Sequence, residues 1–166
     1  MDKIRVTLGT NILPTADLES AATAANIELA IASVTEREVE STSFANSLDP
    51  LSRVLETAVW DESPFDGSVF AGEKEVDCFE TLLRLISSGS FPKPAARGQL
   101  TARQHKQLRD AMIFCAHARE KRDIFVTQDA KGFISGERKK RLESLFHTRI
   151  MTRKEFEEYL TSAAAI

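Results

Sequence analysis

The sequence predicts an α/β fold, a three-layer α/β/α arrangement with a mostly parallel central sheet. Three observations carry this. Strand-like runs alternate with helical periodicity, the run 27–33 is almost continuously apolar as in a strand buried on both faces, and one long helical segment is apolar on all sides in its middle and so must be central. At 166 residues the chain fits one domain over 1–166. A domain of that size buries roughly two-thirds or more of the surface its unfolded form exposes.

The elements follow in order. Ile4-Arg-Val-Thr-Leu8 alternates and is β-branched, and Gly9-Thr-Asn11 breaks it, so a strand ending in a turn is expected. Asp17 is positioned to cap a short helix running to Ala25, and 27–33 is the second strand. Thr35-Glu-Arg-Glu38 has the form of a capping box and predicts a helix from there toward Ala45. Residues 46–75 are rich in Asp, Ser, Gly and Pro and hold the single tryptophan, Trp60. They read as irregular, with a short helix around 50–57, within a longer excursion over 46–100. Val76, Phe79, Leu82, Leu83 and Ile86 recur at helical spacing until Ser87-Ser-Gly-Ser90 ends the pattern. After a Pro-rich loop, Thr101 caps the long central helix to about Lys121. A strand at 124–127, a basic helix at 137–145, a strand at 148–151 and a second capping box, Thr152-Arg-Lys-Glu155, complete the alternation.

The net charge of -3 conceals a segregation. Residues 1–90 carry 6 Lys and Arg against 16 Asp and Glu, whereas 91–154 carry 16 against 6. Such a basic segment either pairs with the acidic half on folding or tracks the phosphates of a nucleic acid. Cys115 lies in the apolar run Ala111-Met-Ile-Phe-Cys-Ala116 and, with only Cys78 for company, reads as a reduced core thiol. Asp2, Lys3 and Arg5 open the chain and no stretch approaches the roughly 18 apolar residues of a membrane span, so a cytoplasmic protein with no membrane partner is expected.

In open α/β sheets ligands bind beyond the carboxyl ends of the strands. Three acids fall there: Glu38 after the second strand, Asp110 at the head of the apolar part of the central helix, and Asp129 two residues past the strand 124–127. Each also has a plainer role, Glu38 in its capping box, Asp129 as a turn or cap residue, and Asp110 in a salt bridge with Arg103 or Arg109. Gathered at one sheet edge, the three offer the oxygen donors that Mg²⁺ or Mn²⁺ prefers.

Four pieces, Val6-Thr-Leu-Gly-Thr-Asn-Ile-Leu13, Ser33-Val-Thr-Glu-Arg-Glu38, Leu108-Arg-Asp-Ala-Met-Ile113 and Phe125-Val-Thr-Gln-Asp129, resemble in order and spacing the four signatures of PIN domains. These include the VapC-type toxin ribonucleases. The resemblance runs from Ile4 to about Tyr159, the excursion 46–100 apart. It implies a Mg²⁺- or Mn²⁺-dependent endoribonuclease, with RNA as substrate, an antitoxin protein as partner and, by family analogy, a homodimer. The family's third acid carries over onto Asp110 and its last onto Asp129, while the second falls on Glu38, with Glu36 as the other register. Thr127 matches the hydroxyl of the family's T-x-D turn and Asn11 the asparagine of its D-T-N turn.

The chain departs from the family at Gly9, which stands where the first and most characteristic Asp is expected. Gly9 by itself reads as a turn glycine ending a strand. Inside the intact Thr10-Asn11-Ile12-Leu13 context it reads as a vacated acid, whether natural, engineered or selected. Activity impaired at Gly9 is therefore one expectation, and a non-catalytic RNA- or protein-binding module on the same fold is the alternative. Basic side chains of 93–109 and 138–141 would hold the RNA backbone. A receiver-like signalling domain also gathers acids at strand ends, but it needs a Lys at a later strand end that the sequence does not offer.

Overall fold

The computed structural model describes residues 2–57, 68–69 and 72–165. In it β1 (Ile4–Leu8) leads to α1 (Ala16–Ala24), and β2 (Ile27–Ala32) runs without a loop into α2 (Ser33–Val39). β3 (Ser52–Val54) follows, then β4 (Glu56–Thr57) and β5 (Ser68–Val69), which among the described residues form a separate two-stranded sheet. Next come α3 (Glu73–Ile86), α4 (Ala102–Arg119), β6 (Ile124–Val126), α5 (Arg138–Phe146), β7 (Arg149–Met151) and α6 (Arg153–Ala163). The main sheet has the order β3-β2-β1-β6-β7, and every neighbouring pair is parallel.

Alternate residues of each strand enter opposite cores, as a pleated ribbon buried on both faces demands. Ala30, Ala32, Phe125 and Ile150 face α3, α4 and α5, packing with Leu82, Leu83, Met112, Phe114 and Leu142. Val6, Leu8, Ile31, Val126 and Met151 face α1 and α6, packing with Leu18, Ala22, Phe156 and Leu160. This is a three-layer α/β/α arrangement. No helix among the described residues is long and apolar enough to cross a membrane.

α4 is central because its second half is apolar all round: Ala111 to Ala116 are all buried. It starts where predicted. Thr101 Oγ1 accepts the Gln104 amide at 3.2 Å and Gln104 Oε1 accepts the Thr101 amide at 2.8 Å, a reciprocal cap worth about 1 kcal/mol. Its C-terminal end is pinned by His117, which is fully buried between the hydroxyls of Thr7 (Nδ1, 3.0 Å) and Thr148 (Nε2, 2.7 Å). Burial holds its imidazole neutral, with a pKa lowered to about 3, and the Arg122 and Arg5 charges push the same way.

Three local expectations are corrected. Residues 52–54 extend as β3 beside β2 instead of forming a helix around 50–57, because the sheet edge supplies hydrogen-bond partners that a short polar helix lacks. Residues 58–67 and 70–71 of that excursion, with Trp60, lie outside the described residues. The box at Thr35 and Glu38 does not cap: α2 already begins at Ser33, with Ala32 at its cap position, and ends at Val39 rather than Ala45. Asp17 is in the first turn of α1, not at its cap, and pairs with Arg153 Nη2 at 2.5 Å.

Candidate functional site

The strand order reverses direction between β1 and β6, and at such a switch point the loops that leave neighbouring strands diverge and open a crevice. The two loops there are Gly9-Thr10-Asn11, after β1, and Thr127-Gln128-Asp129, after β6. Backbone and side chains tie them together. The Gly9 amide donates to Val126 O at 2.8 Å, and the Gln128 amide donates to Asn11 Oδ1 at 3.1 Å. Thr127 Oγ1 accepts the Asp129 amide at 3.1 Å. Asn11 and Thr127 therefore fix the position of Asp129.

Asp129 opens a wide helical turn, Ala130–Ile134, and its Oδ1 accepts the Gly132 amide at 3.0 Å. Its carboxylate lies directly over Gly132, in the space a Cβ would occupy, so a side chain there would displace it. Phe133 anchors the turn from beneath, its ring 5.2 Å from that of Phe125 and 5.5 Å from that of Phe114. The turn role foreseen for Asp129 is thus real but occupies one oxygen only.

The second oxygen, Oδ2, lies 3.9 Å from Lys106 Nζ, which also stands 3.1 Å from Asp110 Oδ2. The two carboxylate oxygens are thus within about 7 Å of each other, joined by one ammonium. Lys106 takes the place of the expected arginine partner of Asp110, as its position one helical turn before the acid allows. Burial lifts the Asp110 pKa to about 6. Lys106 opposes that shift, and the negative charges of Asp129 and Glu38 add to it. Burial works against the charge of Lys106, but Asp110, Asp129 and Glu38 together hold its pKa above the usual value.

Glu38 is near enough to act on both groups through its field, yet it does not line their cleft. Freed from capping, its Oε2 accepts the Thr10 hydroxyl, and Thr10 Oγ1 is also 3.2 Å from Thr35 Oγ1. Glu36, the other register, points away and pairs with Arg53 at 3.3 Å.

Gly9 follows β1, where the family resemblance expects an acid. Its backbone is extended, φ -68 and ψ 156, so no left-handed conformation requires a glycine. A Cβ built on it would meet Asn11 Oδ1 and Val126 O at 3.3 Å and Thr127 Oγ1 at 3.6 Å, a fit that needs shifts of a few tenths of an ångström. Among the described residues no group of three or more His, Cys, Asp or Glu side chains is arranged to hold a metal ion. Two features account for this shortfall in the predicted set of Glu38, Asp110 and Asp129: Gly9 brings no donor and Glu38 is turned to Thr10.

The cleft itself, about 350 Å³, is lined by Asp110 and Asp129 and by the cations Arg103, Lys106, Lys131 and Arg138. Arg138 spans it, donating to Lys131 O and to Ser88 Oγ. The basic rim expected from 93–109 and 138–141 is therefore present in part. Arg97 instead makes a double contact with Glu80 at 2.7 and 2.8 Å, and Lys139 pairs with Glu155 at 3.1 Å. Sequence reasoning did not single out Lys106 or Lys131. Lys106 was visible as the residue four before Asp110, and Lys131 only through its closeness to Asp129. No protein-family model and no curated protein matches the chain.

Proposed function

We propose that the chain is a PIN-type, metal-dependent endoribonuclease whose chemistry is impaired at Gly9. The observation that carries this is the juxtaposition of Asp110 and Asp129 at the switch point, with Gly9 on the loop tied to that of Asp129, in an extended backbone that any residue can adopt. The donors present are hard oxygens, of the type Mg²⁺ and Mn²⁺ favour, but their number falls short for an ion as the chain stands. In the family the sequence resembles, such ions lower the pKa of a water that attacks a phosphodiester.

The chain's own residues do the following. Arg103, Lys131 and Arg138 offer positive charge to the phosphates of a single strand. Asn11 and Thr127 orient Asp129, and Lys106 offsets part of the charge of the two acids. The test is RNA hydrolysis by this chain and by its Gly9→Asp variant, with Mn²⁺, Mg²⁺ or chelator. Cleavage gained only by the variant and abolished by chelator supports the reading, and a folded variant without cleavage opposes it. The toxin role in a toxin–antitoxin pair and the antitoxin partner rest on the family resemblance alone.

A second reading, a non-catalytic RNA-binding module, is favoured by the Lys106 bridge, which satisfies Asp110 and Asp129 without an ion. It predicts RNA binding equal in both proteins and cleavage by neither.

A further inference from the structure

Cys78 on α3 and Cys115 on α4 meet with their sulfurs 3.8 Å apart, both as free thiols. A disulfide needs about 2.05 Å, so closure requires roughly 2 Å of approach between sulfurs already in contact. Both cysteines line a pocket of about 650 Å³, which shares no lining residue with the Asp110 cleft. Lys74, Glu75, Arg119, Lys121 and His147 surround them there. Cys78 is half-buried and Cys115 is buried, so a reagent entering the pocket reaches Cys78 first.

We propose that Cys78 and Cys115 form a reversible disulfide site that exchanges with a small-molecule disulfide entering this pocket. Cys78 gives its proton to solvent, and its thiolate attacks one sulfur of R–S–S–R. That bond breaks, RS⁻ leaves and is protonated, and Cys78 carries the mixed disulfide. Cys115 then loses its proton and attacks the Cys78 sulfur, expelling the second RS⁻, which is protonated in turn. The two protein thiols are oxidised by two electrons, and the small disulfide is reduced to two thiols. The order of attack agrees with the chemistry of the pair. Contact with Cys115 holds the Cys78 thiol below its usual pKa, while the same contact and burial raise that of Cys115. The bond would tie α3 to α4, the helices whose Ile86 and Asp110 stand on the two walls of the acid cleft.

The test uses the whole chain, incubated with oxidised glutathione, alkylated and digested for mass spectrometry. The expected product is an intramolecular Cys78–Cys115 peptide pair that dithiothreitol reverses. Cys115→Ala should stop at a glutathione adduct on Cys78, and Cys78→Ala should leave Cys115 unmodified. Wild-type protein that keeps two alkylatable thiols, stalls as the Cys78 adduct, or forms only intermolecular links overturns the proposal whether or not the variants fold.

Discussion

Lys106 Nζ lies 3.1 Å from Asp110 Oδ2 and 3.9 Å from Asp129 Oδ2, so one ammonium serves both acids of the cleft. An entering divalent ion competes with it. The Lys106 side chain is 62% exposed, and pairs so screened are worth about 0.2–1 kcal/mol. In the Gly9→Asp protein, Lys106→Met is therefore expected to tighten Mn²⁺ binding about 1.4- to 5-fold by titration calorimetry. Weaker binding after the change would mean that Lys106 helps to assemble the acids and does not compete with the ion.

A buried and a half-buried group on α4 give opposite pH dependences. His117 has its folded pKa depressed to about 3, so its contribution to stability is complete above its unfolded value of 6.5 and is lost as pH falls toward 3. Asp110 has its folded pKa raised to about 6, so it destabilises above pH 6, and that penalty fades as pH falls to 3.8. Between pH 7 and about 4.5 the stability of His117→Gln relative to the parent should rise by about 2–3 kcal/mol, and that of Asp110→Asn should fall by about 1–2 kcal/mol. Urea unfolding at the two pH values measures both. Variant and parent profiles that run parallel would refute the assignment of these shifts.

The cations Arg103, Lys106, Lys131 and Arg138 line one cleft, and three or four phosphate contacts by them would release counterions in proportion. Binding of single-stranded RNA should weaken with salt at a logarithmic slope of about -2 to -3, and Lys131→Ala should reduce that slope by about 0.7. Fluorescence anisotropy across a salt series checks this. A slope near zero would remove the nucleic-acid reading of the cleft.

Much of this was legible in the sequence, and the misses have physical causes. The cap at Thr101 and the box at Thr152 start α4 and α6 as read, because each threonine stands in extended backbone directly before its helix, where its side chain meets first-turn amides in need of a partner. The same pattern at Thr35 fails because β2 feeds straight into α2, so the helix begins two residues earlier and releases Glu38 toward Thr10. Strand β3 was hidden because Ser52, Arg53 and Val54 acquire their pairing only from the edge of β2, a long-range relationship with no local signal. Asp129 was legible from its place after a strand, and Asp110 from its place at the head of the apolar part of the central helix. Their shared partner Lys106 was less legible because Arg103 and Arg109 offer the same charge at similar distance along the chain, and only the fold brings Asp129 to the lysine.

Whether Gly9 is a vacated ligand position is decided by Mn²⁺ affinity, measured in parallel on this chain and its Gly9→Asp variant by calorimetry at pH 7.5. Loss of even an indirect contributor to a metal site typically costs about 10–100-fold, so the added carboxylate should tighten binding by at least that factor. The extended backbone of Gly9 removes conformational strain as an obstacle, and circular dichroism verifies that the variant is folded. Affinity raised 10-fold or more in the variant is the expected result, whereas equal Mn²⁺ affinity in two folded proteins would contradict the reading of this crevice as a metal-dependent nuclease site missing one acid.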